Sequence, residues 1–322
     1  MILTVTPNPS LDRTYVAGTV VRGEVNRARA THTDAGGKGI NVTRALTAGG
    51  AESVAVFPVG GPDGAQIVAE LAARGIASLP VPVAGSVRSN ITLAEDDGTT
   101  TKINAPGPVL SAAETDAVLE AVRARLASHP AASGPAVVVG AGSLPDGIGH
   151  DFYLRLGVVA HEHGAAFVVD TSGEPLAAVA RAGVAQLLKP NDDELADVVG
   201  GDLVTVGDVV AACHELRSAG TAEILVSLGA HGALLVTGTG TWWAGGPALV
   251  PRSTVGAGDS TLAGYLSSGT RDRGPDDLRA AVAWGRAAVL LPGSAVPAPT
   301  DIRPDEVDVI ADPDPRIALK EL

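Results

Sequence analysis

Thr254-Val255-Gly256-Ala257-Gly258-Asp259-Ser260 places two glycines around an alanine and follows them at once with a carboxylate. Thr261-Leu262-Ala263-Gly264-Tyr265-Leu266 then reads as the opening of a helix. Backbone N–H groups at a helix N-terminus have no intrahelical partner, and with the helix dipole they favour an anion. Glycines let that backbone approach a ligand closely. A carboxylate at the mouth of an anion site suits one task, taking a proton from a hydroxyl that attacks a phosphate. The same stretch also fits a Gly-rich turn in which Asp259 is the helix N-cap.

Asp34-Ala35-Gly36-Gly37-Lys38-Gly39-Ile40-Asn41-Val42 sets three glycines around a lysine just before a second helical pattern. The glycine spacing and the missing Ser/Thr after the lysine exclude a P-loop. It reads as a close-approach loop for a small polyol or its phosphate. Asn41 both donates and accepts hydrogen bonds, and Asp12 accepts from hydroxyls. Taken singly, Asn41 also reads as a first-turn helix residue and Asp12 as a turn former. In Lys189-Pro190-Asn191-Asp192-Asp193-Glu194-Leu195, Asn191 and Glu194 are three apart and share a helix face. An amide and a carboxylate so placed can hold waters of a magnesium ion or the phosphates it bridges. They also fit a capping box.

These residues need rigid elements behind them. Strand patterns fall at Ile2–Thr6, Ser53–Val59, Val137–Gly140, Ala166–Asp170, Val184–Lys189 and Ile224–Leu228. Helix patterns fall at Gly39–Ala48, from Asp63 to near Gly75, after the Ser111–Glu114 capping box to about Ala127, and at His150–His163. The alternation predicts an α/β fold with a mostly parallel sheet and helices on both faces. Ligands then bind beyond the C-terminal strand ends, where Asn8, Ser143, Asp170, Asn191, Ser227 and Gly229 stand. Two segments lack the pattern. Asp12–Asp34 has no helical period, and Val87–Asn104 reads as a hairpin around Glu95-Asp96-Asp97-Gly98. They predict a small separate β-sheet, serving as a water-excluding lid, as a dimerisation surface, or as both. Ala127–Pro135 is expected as a loop, and the Pro- and Asp-rich tail from Ser294 as surface chain.

Composition narrows the class. Of 322 residues, 45% are hydrophobic but only 3% aromatic, so the core is built from Val, Ala and Leu. Few aromatics and a net charge of −13 argue against a nucleic-acid partner. An anionic substrate therefore needs a local cluster of Lys and Arg. The lone Cys213 excludes an internal disulfide and a thiolate metal cluster. No apolar run reaches the ~18 residues of a membrane span, and Met1–Pro7 reads as a first strand, so a soluble cytoplasmic protein is expected. No Gly-x-Gly-x-x-Gly follows that strand, against a dinucleotide oxidoreductase.

Taken along the chain, Gly36–Val42, Lys189–Glu194 and Val255–Ser260 resemble the motifs of the ribokinase-like PfkB carbohydrate kinases in their order. Thr6-Pro7-Asn8-Pro9-Ser10-Leu11-Asp12, Gly23-Glu24-Val25-Asn26-Arg27-Ala28, Lys102-Ile103-Asn104-Ala105-Pro106-Gly107-Pro108 and Gly142-Ser143-Leu144-Pro145 narrow the resemblance to the 1-phosphofructokinase and tagatose-6-phosphate kinase branch, from residue 1 to about residue 300. The resemblance implies one ribokinase-like domain over residues 1–322 with a β lid from about 12–34 and 87–104. It implies Asp259 as the base and Gly256, Ala257 and Gly258 as the anion hole. Asp12, Gly36, Gly37, Lys38, Asn41, Arg88, Asn90 and Ser143 would bind the sugar phosphate. Lys189, Ser227, Gly229 and Gly232, with Gly256 and Gly258, would line the ATP site. Asn191 and Glu194 would position Mg²⁺ indirectly. Arg27, Lys38, Arg88 and Lys102 supply local positive charge.

The implied reaction is ATP-dependent phosphorylation of a ketohexose phosphate: fructose 1-phosphate first, with fructose 6-phosphate or tagatose 6-phosphate as alternatives. A non-catalytic sugar-phosphate sensor is more remote, since the aspartate and glycines are intact. A homodimer through the lid is also implied. Two departures stand out: Ala105 replaces a glutamate common in this branch, and Asp146 a second proline.

Overall fold

The computed structural model describes residues 1–130, 134–268 and 273–322. Residues 131–133 of the expected 127–135 loop lie outside the described residues. β1 (Ile2–Val5) is buried along its whole length. β2 (Ser10–Val16) and β3 (Ala30–Gly36) leave that layer as an antiparallel ribbon. α1 (Lys38–Ala48) follows directly. β4 (Ser53–Val59), α2 (Gly61–Ala73) and β5 (Ser78–Pro82) make a parallel βαβ unit. β6 (Arg88–Ala94) and β7 (Thr100–Asn104) form the expected hairpin.

The second half alternates more strictly. α3 (Ala112–Ala127) starts at the predicted capping box, with Glu114 N–H donating to the Ser111 hydroxyl at 3.3 Å. β8 (Val137–Ala141), α4 (Phe152–Glu162), β9 (Ala166–Asp170), α5 (Gly173–Ala182) and β10 (Leu187–Leu188) follow. Then come α6 (Asp192–Val199), α7 (Val206–Ser218), β11 (Glu223–Ser227), β12 (Ala233–Val236) and β13 (Thr241–Gly245). α8 (Ala257–Ser267), α9 (Pro275–Val289) and β14 (Asp308–Ala311) close the chain order.

The large sheet has ten strands in the order β14-β13-β12-β11-β10-β9-β8-β1-β4-β5. Pairing is parallel from β5 through β11 and antiparallel from there to β14. Alternation along the strands feeds two faces. Val138, Val169 and Leu188 pack with residues of α3 to α7, such as Val122, Leu156 and Val209. Val139, Val168 and Leu187 pack with residues of α1, α8 and α9, such as Leu46, Leu262 and Trp284. The α/β class with helices on both faces holds.

The second sheet has four strands, in the order β3-β2-β6-β7. It is rooted in the body through Leu11 and Ala35, which pack with Ile40 and Phe57. β7 is exposed along its length.

Two expectations change. Only Leu187–Leu188 of the expected 184–189 strand is regular, because Gly183 caps α5 in the left-handed region at φ 60° and Pro190 has no N–H to continue the ladder. The tail is not simply surface chain. β14 pairs with β13 at the sheet edge, and Val307 and Leu319, apolar residues among the prolines and aspartates, are buried. Among the described residues, no helix is long and apolar enough to cross a membrane.

Candidate active site

The start of α8 is built by Gly256, which takes the N-cap position in the left-handed region at φ 76°, where a side chain would be strained. Asp259 is therefore not the cap but the third helical residue. Ser260 N–H makes the first return bond, to Gly256 O at 2.9 Å, while Ala257 N–H reaches back to Thr254 O at 3.4 Å. The amides of Gly258 and Asp259 have no acceptor among the described hydrogen bonds, as the first turn of a helix dictates. The Asp259 side chain is buried, and Asn41 Nδ2 donates to its Oδ2 at 2.9 Å. Burial pushes its carboxyl up to about 6, with the nearby Asp170 carboxylate adding to the rise. Lys38, the Asn41 bond and Lys189 oppose it.

Asp170 ends β9 with 1% of its surface exposed and holds two ammonium groups. Lys38 Nζ lies 2.6 Å from its Oδ1 and Lys189 Nζ 3.1 Å from its Oδ2. Burial alone would neutralise this carboxyl, yet Lys189 and Lys38 outweigh it and hold it below the usual carboxylate range. For Lys38, burial opposes the charge, but Asp170 wins and raises the ammonium above its ordinary value. A Cβ on Gly258 would come 3.4 Å from Lys189 Nζ. The free amides, one lysine and the raised carboxyl thus share one place.

A second group of polar side chains faces it from the small sheet. Asp12 on β2 accepts from the Ser10 hydroxyl at 2.7 Å and from Asn90 Nδ2 on β6 at 3.0 Å. Burial raises its carboxyl despite these bonds. Gly36 leaves room for it: a Cβ there would fall 2.2 Å from Asp12 Oδ2 and push the carboxyl aside. Arg88 Nη2 donates to Asn8 O at 3.1 Å and Nη1 to Ala105 O at 3.4 Å. Asn8 Nδ2 donates to the Ser143 hydroxyl at 3.3 Å. Among the described residues, four buried atoms here lack a partner: Thr6 Oγ1, Asn8 Oδ1, Arg88 Nε and Asn90 Oδ1. Buried polar atoms are normally satisfied, so this cluster is suited to a hydroxylated, anionic ligand.

On the opposite flank, Asn191 and Glu194 form the capping box: Asn191 Oδ1 accepts from Glu194 N–H at 2.7 Å and Glu194 Oε2 from Asn191 N–H at 2.9 Å. Ser227 pairs with Asn191 in a parallel bridge and donates its N–H to Pro190 O at 3.0 Å. Gly229 and Gly232 frame a tight turn from β11 to β12. At Gly232 a Cβ would meet Ala244 O at 2.0 Å, so this glycine is demanded by the fold itself.

The structure therefore gathers Asp259, Gly256–Gly258, Lys38, Asn41 and Lys189 at one point, with Asp12, Gly36, Asn90, Arg88 and Ser143 in a linked network beside the same loop. Arg27 and Lys102 are exposed, and their described contacts include no site residue. Asp170 was legible only as a strand-end residue, Asn8 as a strand-end and motif residue, and Thr6 only as part of a motif. The two departures act through backbone: Ala105 O accepts from Arg88, and Asp146 O accepts from Leu110 N–H at 2.9 Å while its side chain is exposed.

Residues 6–301 match the model of the pfkB family carbohydrate kinases. The chain belongs to that family. A Mycobacterium tuberculosis protein named ATP-dependent 6-phosphofructokinase isozyme 2 is 36% identical over 297 residues, 91% of this chain and 85% of that protein. A Xanthomonas campestris 1-phosphofructokinase is 38% identical over 270 residues, 83% of each. The structure of Escherichia coli phosphofructokinase-2 in complex with potassium covers 93% of this chain and 96% of its own, with a TM-score of 0.85 and 31% identity. As a pfkB family member the chain is a carbohydrate kinase, an enzyme of ATP-dependent phosphoryl transfer.

Proposed function

We propose that this pfkB kinase phosphorylates fructose 1-phosphate to fructose 1,6-bisphosphate, with Asp259 as the base. The observation that carries the mechanism is the buried Asp259 carboxylate, raised to about 6, beside the free amides that open α8. Asp259 takes the proton of the acceptor hydroxyl as its oxygen bonds to the terminal phosphorus of ATP. The bond from that phosphorus to the bridging oxygen breaks, and ADP leaves with the electron pair. The amides of the Gly256–Asp259 turn and the Lys189 ammonium meet the charge spread over the transferring group. Lys189, Ser227, Gly229 and Gly232 line the nucleotide side. Asp12, Gly36, Gly37, Lys38, Asn41, Asn90 and Ser143 hold the sugar, and the four-stranded sheet closes over it to exclude water.

Among the described residues no cluster of three or more acidic, His or Cys side chains could grip a metal directly. Asn191 and Glu194 are occupied by their mutual cap through Oδ1 and Oε2. Glu194 Oε1 takes no part in the cap. This donor set fits Mg²⁺, which Asn191 and Glu194 would hold indirectly. When bound, it neutralises phosphate charge.

Arg88 is assigned the substrate phosphate because its buried Nε has no partner among the described residues and the charge of Asp12 acts on it from the sugar side. Arg88→Ala is expected to raise the sugar-phosphate KM by about tenfold or more, the loss of one charged hydrogen bond, and the ATP KM little. An unchanged sugar KM overturns the assignment. The two relatives named above bear different acceptor names, so the acceptor is tested directly. ADP release with ATP and magnesium is measured in parallel on fructose 1-phosphate, fructose 6-phosphate and tagatose 6-phosphate. The highest kcat/KM is expected with fructose 1-phosphate; a higher value with either 6-phosphate overturns the acceptor but not the chemistry.

A further inference from the structure

Arg44 is a buried charge that the mechanism above leaves without a task. It stands on α1 three residues beyond Asn41, and its side chain is 4% exposed. Its Nη1 donates to Asn41 Oδ1 at 3.1 Å and to the carbonyl of Ala35, on β3, at 3.2 Å. Its Nη2 lies 3.8 Å from Asp34 Oδ1. Asp34 is also held by Arg74 at 3.1 Å, and Arg74 pairs with Glu70 at 2.7 Å. A guanidinium withdrawn from water is costly without such partners, so its presence against a site residue calls for a reason.

The reason lies in the chemistry of the three groups. Arginine carries only donors, an ionised carboxylate only acceptors, and an asparagine amide one of each kind. The amide atom of Asn41 that faces Arg44 must therefore be the oxygen. Its NH₂ is then turned the other way, where Nδ2 meets Asp259 Oδ2 at 2.9 Å. With no donor behind it, the amide can turn over once Asp259 is protonated, its oxygen then accepting from the carboxyl and favouring the protonated form.

We propose that Arg44 is a positioning residue for phosphoryl transfer: it locks the Asn41 amide so that it donates to Asp259, and it ties that amide to the end of β3. This rests on Asp259 being the base. The other charged groups that face Asp259 are Asp170, Lys38 and Lys189. Those that face Arg44 are Asp34, Arg74, Glu70 and Asp12. The Asn41 bond favours the ionised carboxylate, so losing it moves the protonation of Asp259 to higher pH.

The test uses Arg44→Met, Arg44→Lys, Asn41→Ala and the Arg44→Met/Asn41→Ala double variant, each checked for cooperative unfolding. Arg44→Met is expected to lower kcat by about tenfold, as for a misplaced catalytic group, and to shift the acid limb of the kcat–pH profile upward. Arg44→Lys, which keeps the charge but gathers its donors on one nitrogen without the guanidinium fork, shifts the limb less, in the same direction. The double variant is no worse than Asn41→Ala alone, because Arg44 acts through that amide. A limb that stays in place, or losses that multiply in the double variant, overturns the inference. If Arg44→Met fails to fold, Arg44→Lys keeps the buried charge, and its unmoved limb counts equally against. Asp259→Asn separates the two readings: near-normal kcat there removes the base, whereas an inactive Asp259→Asn with an unmoved Arg44 limb removes only the role of Arg44.

Discussion

Asp259→Asn is expected to lower kcat by ~10² or more while both substrates still bind, the loss typical of a missing general base. The substitution keeps the shape of the side chain and its place in the first turn of α8, so the anion site stays built. A steady-state assay at saturating ATP and sugar phosphate checks it, and a kcat within tenfold of the unsubstituted enzyme contradicts the base role. The same carboxyl sets the pH dependence. It must be ionised to accept a proton, and it is raised to about 6 in the fold, so kcat should fall as pH drops through about 6. An acid limb near pH 4, where an ordinary aspartate titrates, would show that burial and Asp170 do not govern the group.

Stability moves in the opposite sense. A carboxyl raised in the folded state favours folding when protonated. That contribution is complete below its ordinary value of 3.8 and is lost as pH rises through about 6. The rise from 3.8 to about 6 corresponds to an upper bound of about 3 kcal/mol held against the fold at neutral pH. Asp259→Asn should therefore raise the melting temperature at pH 8 and bring no gain at pH 4. An inactive variant that is more stable at pH 8 separates lost chemistry from lost structure. A variant destabilised at pH 8 would mean that the charge is held by attraction and not tolerated for function.

What the sequence made legible was local. The Gly256–Asp259 turn, the Ser111–Glu114 box and the strand alternation each depend on residues within a few positions of one another, and all formed. The Asn191–Glu194 spacing was legible twice over, as a cap and as a metal-side pair. The cap is what the backbone uses, since N–H groups at a helix start must be paired. The contacts of the candidate site are not local. Asn41 and Asp259 are 218 positions apart, and Lys38 and Asp170 132. Asn41 meets Asp259 because α1 packs against α8, and Lys38 meets Asp170 because α1 also lies against β1 and β8, next to β9 in the parallel sheet. Asp170 stood visibly at such an end, but nothing near it in sequence announced that two lysines would claim both its oxygens. The tail misled for a compositional reason. Its prolines and aspartates read as surface, while single apolar residues such as Val307 and Leu319 were enough to dock it.

Asp170→Asn should cost the enzyme both stability and its pH profile. Lys38 and Lys189 share this one buried carboxylate at 2.6 and 3.1 Å. An asparagine offers one oxygen to the first lysine and turns its NH₂ toward the second, donor against donor. Breaking a buried pair by removing one partner typically costs ~3–5 kcal/mol, because the remaining charge stays buried and uncompensated; that holds for Lys189, whereas Lys38 is 38% exposed and water offsets its loss, so the low end is expected. Thermal unfolding should show a drop of that order, and an unchanged melting temperature would mean that the lysines find other partners. The pH readout has a definite sign. Asp170 raises Asp259, whereas Lys38 and Lys189 lower it. Removing Asp170 takes away the first effect and leaves both lysines, so the acid limb of kcat should move below pH 6. Loss of the Arg44–Asn41 lock moves the same limb upward. Opposite displacements from two buried neighbours would place the titrating group at Asp259, since general loosening of the site would push both variants the same way.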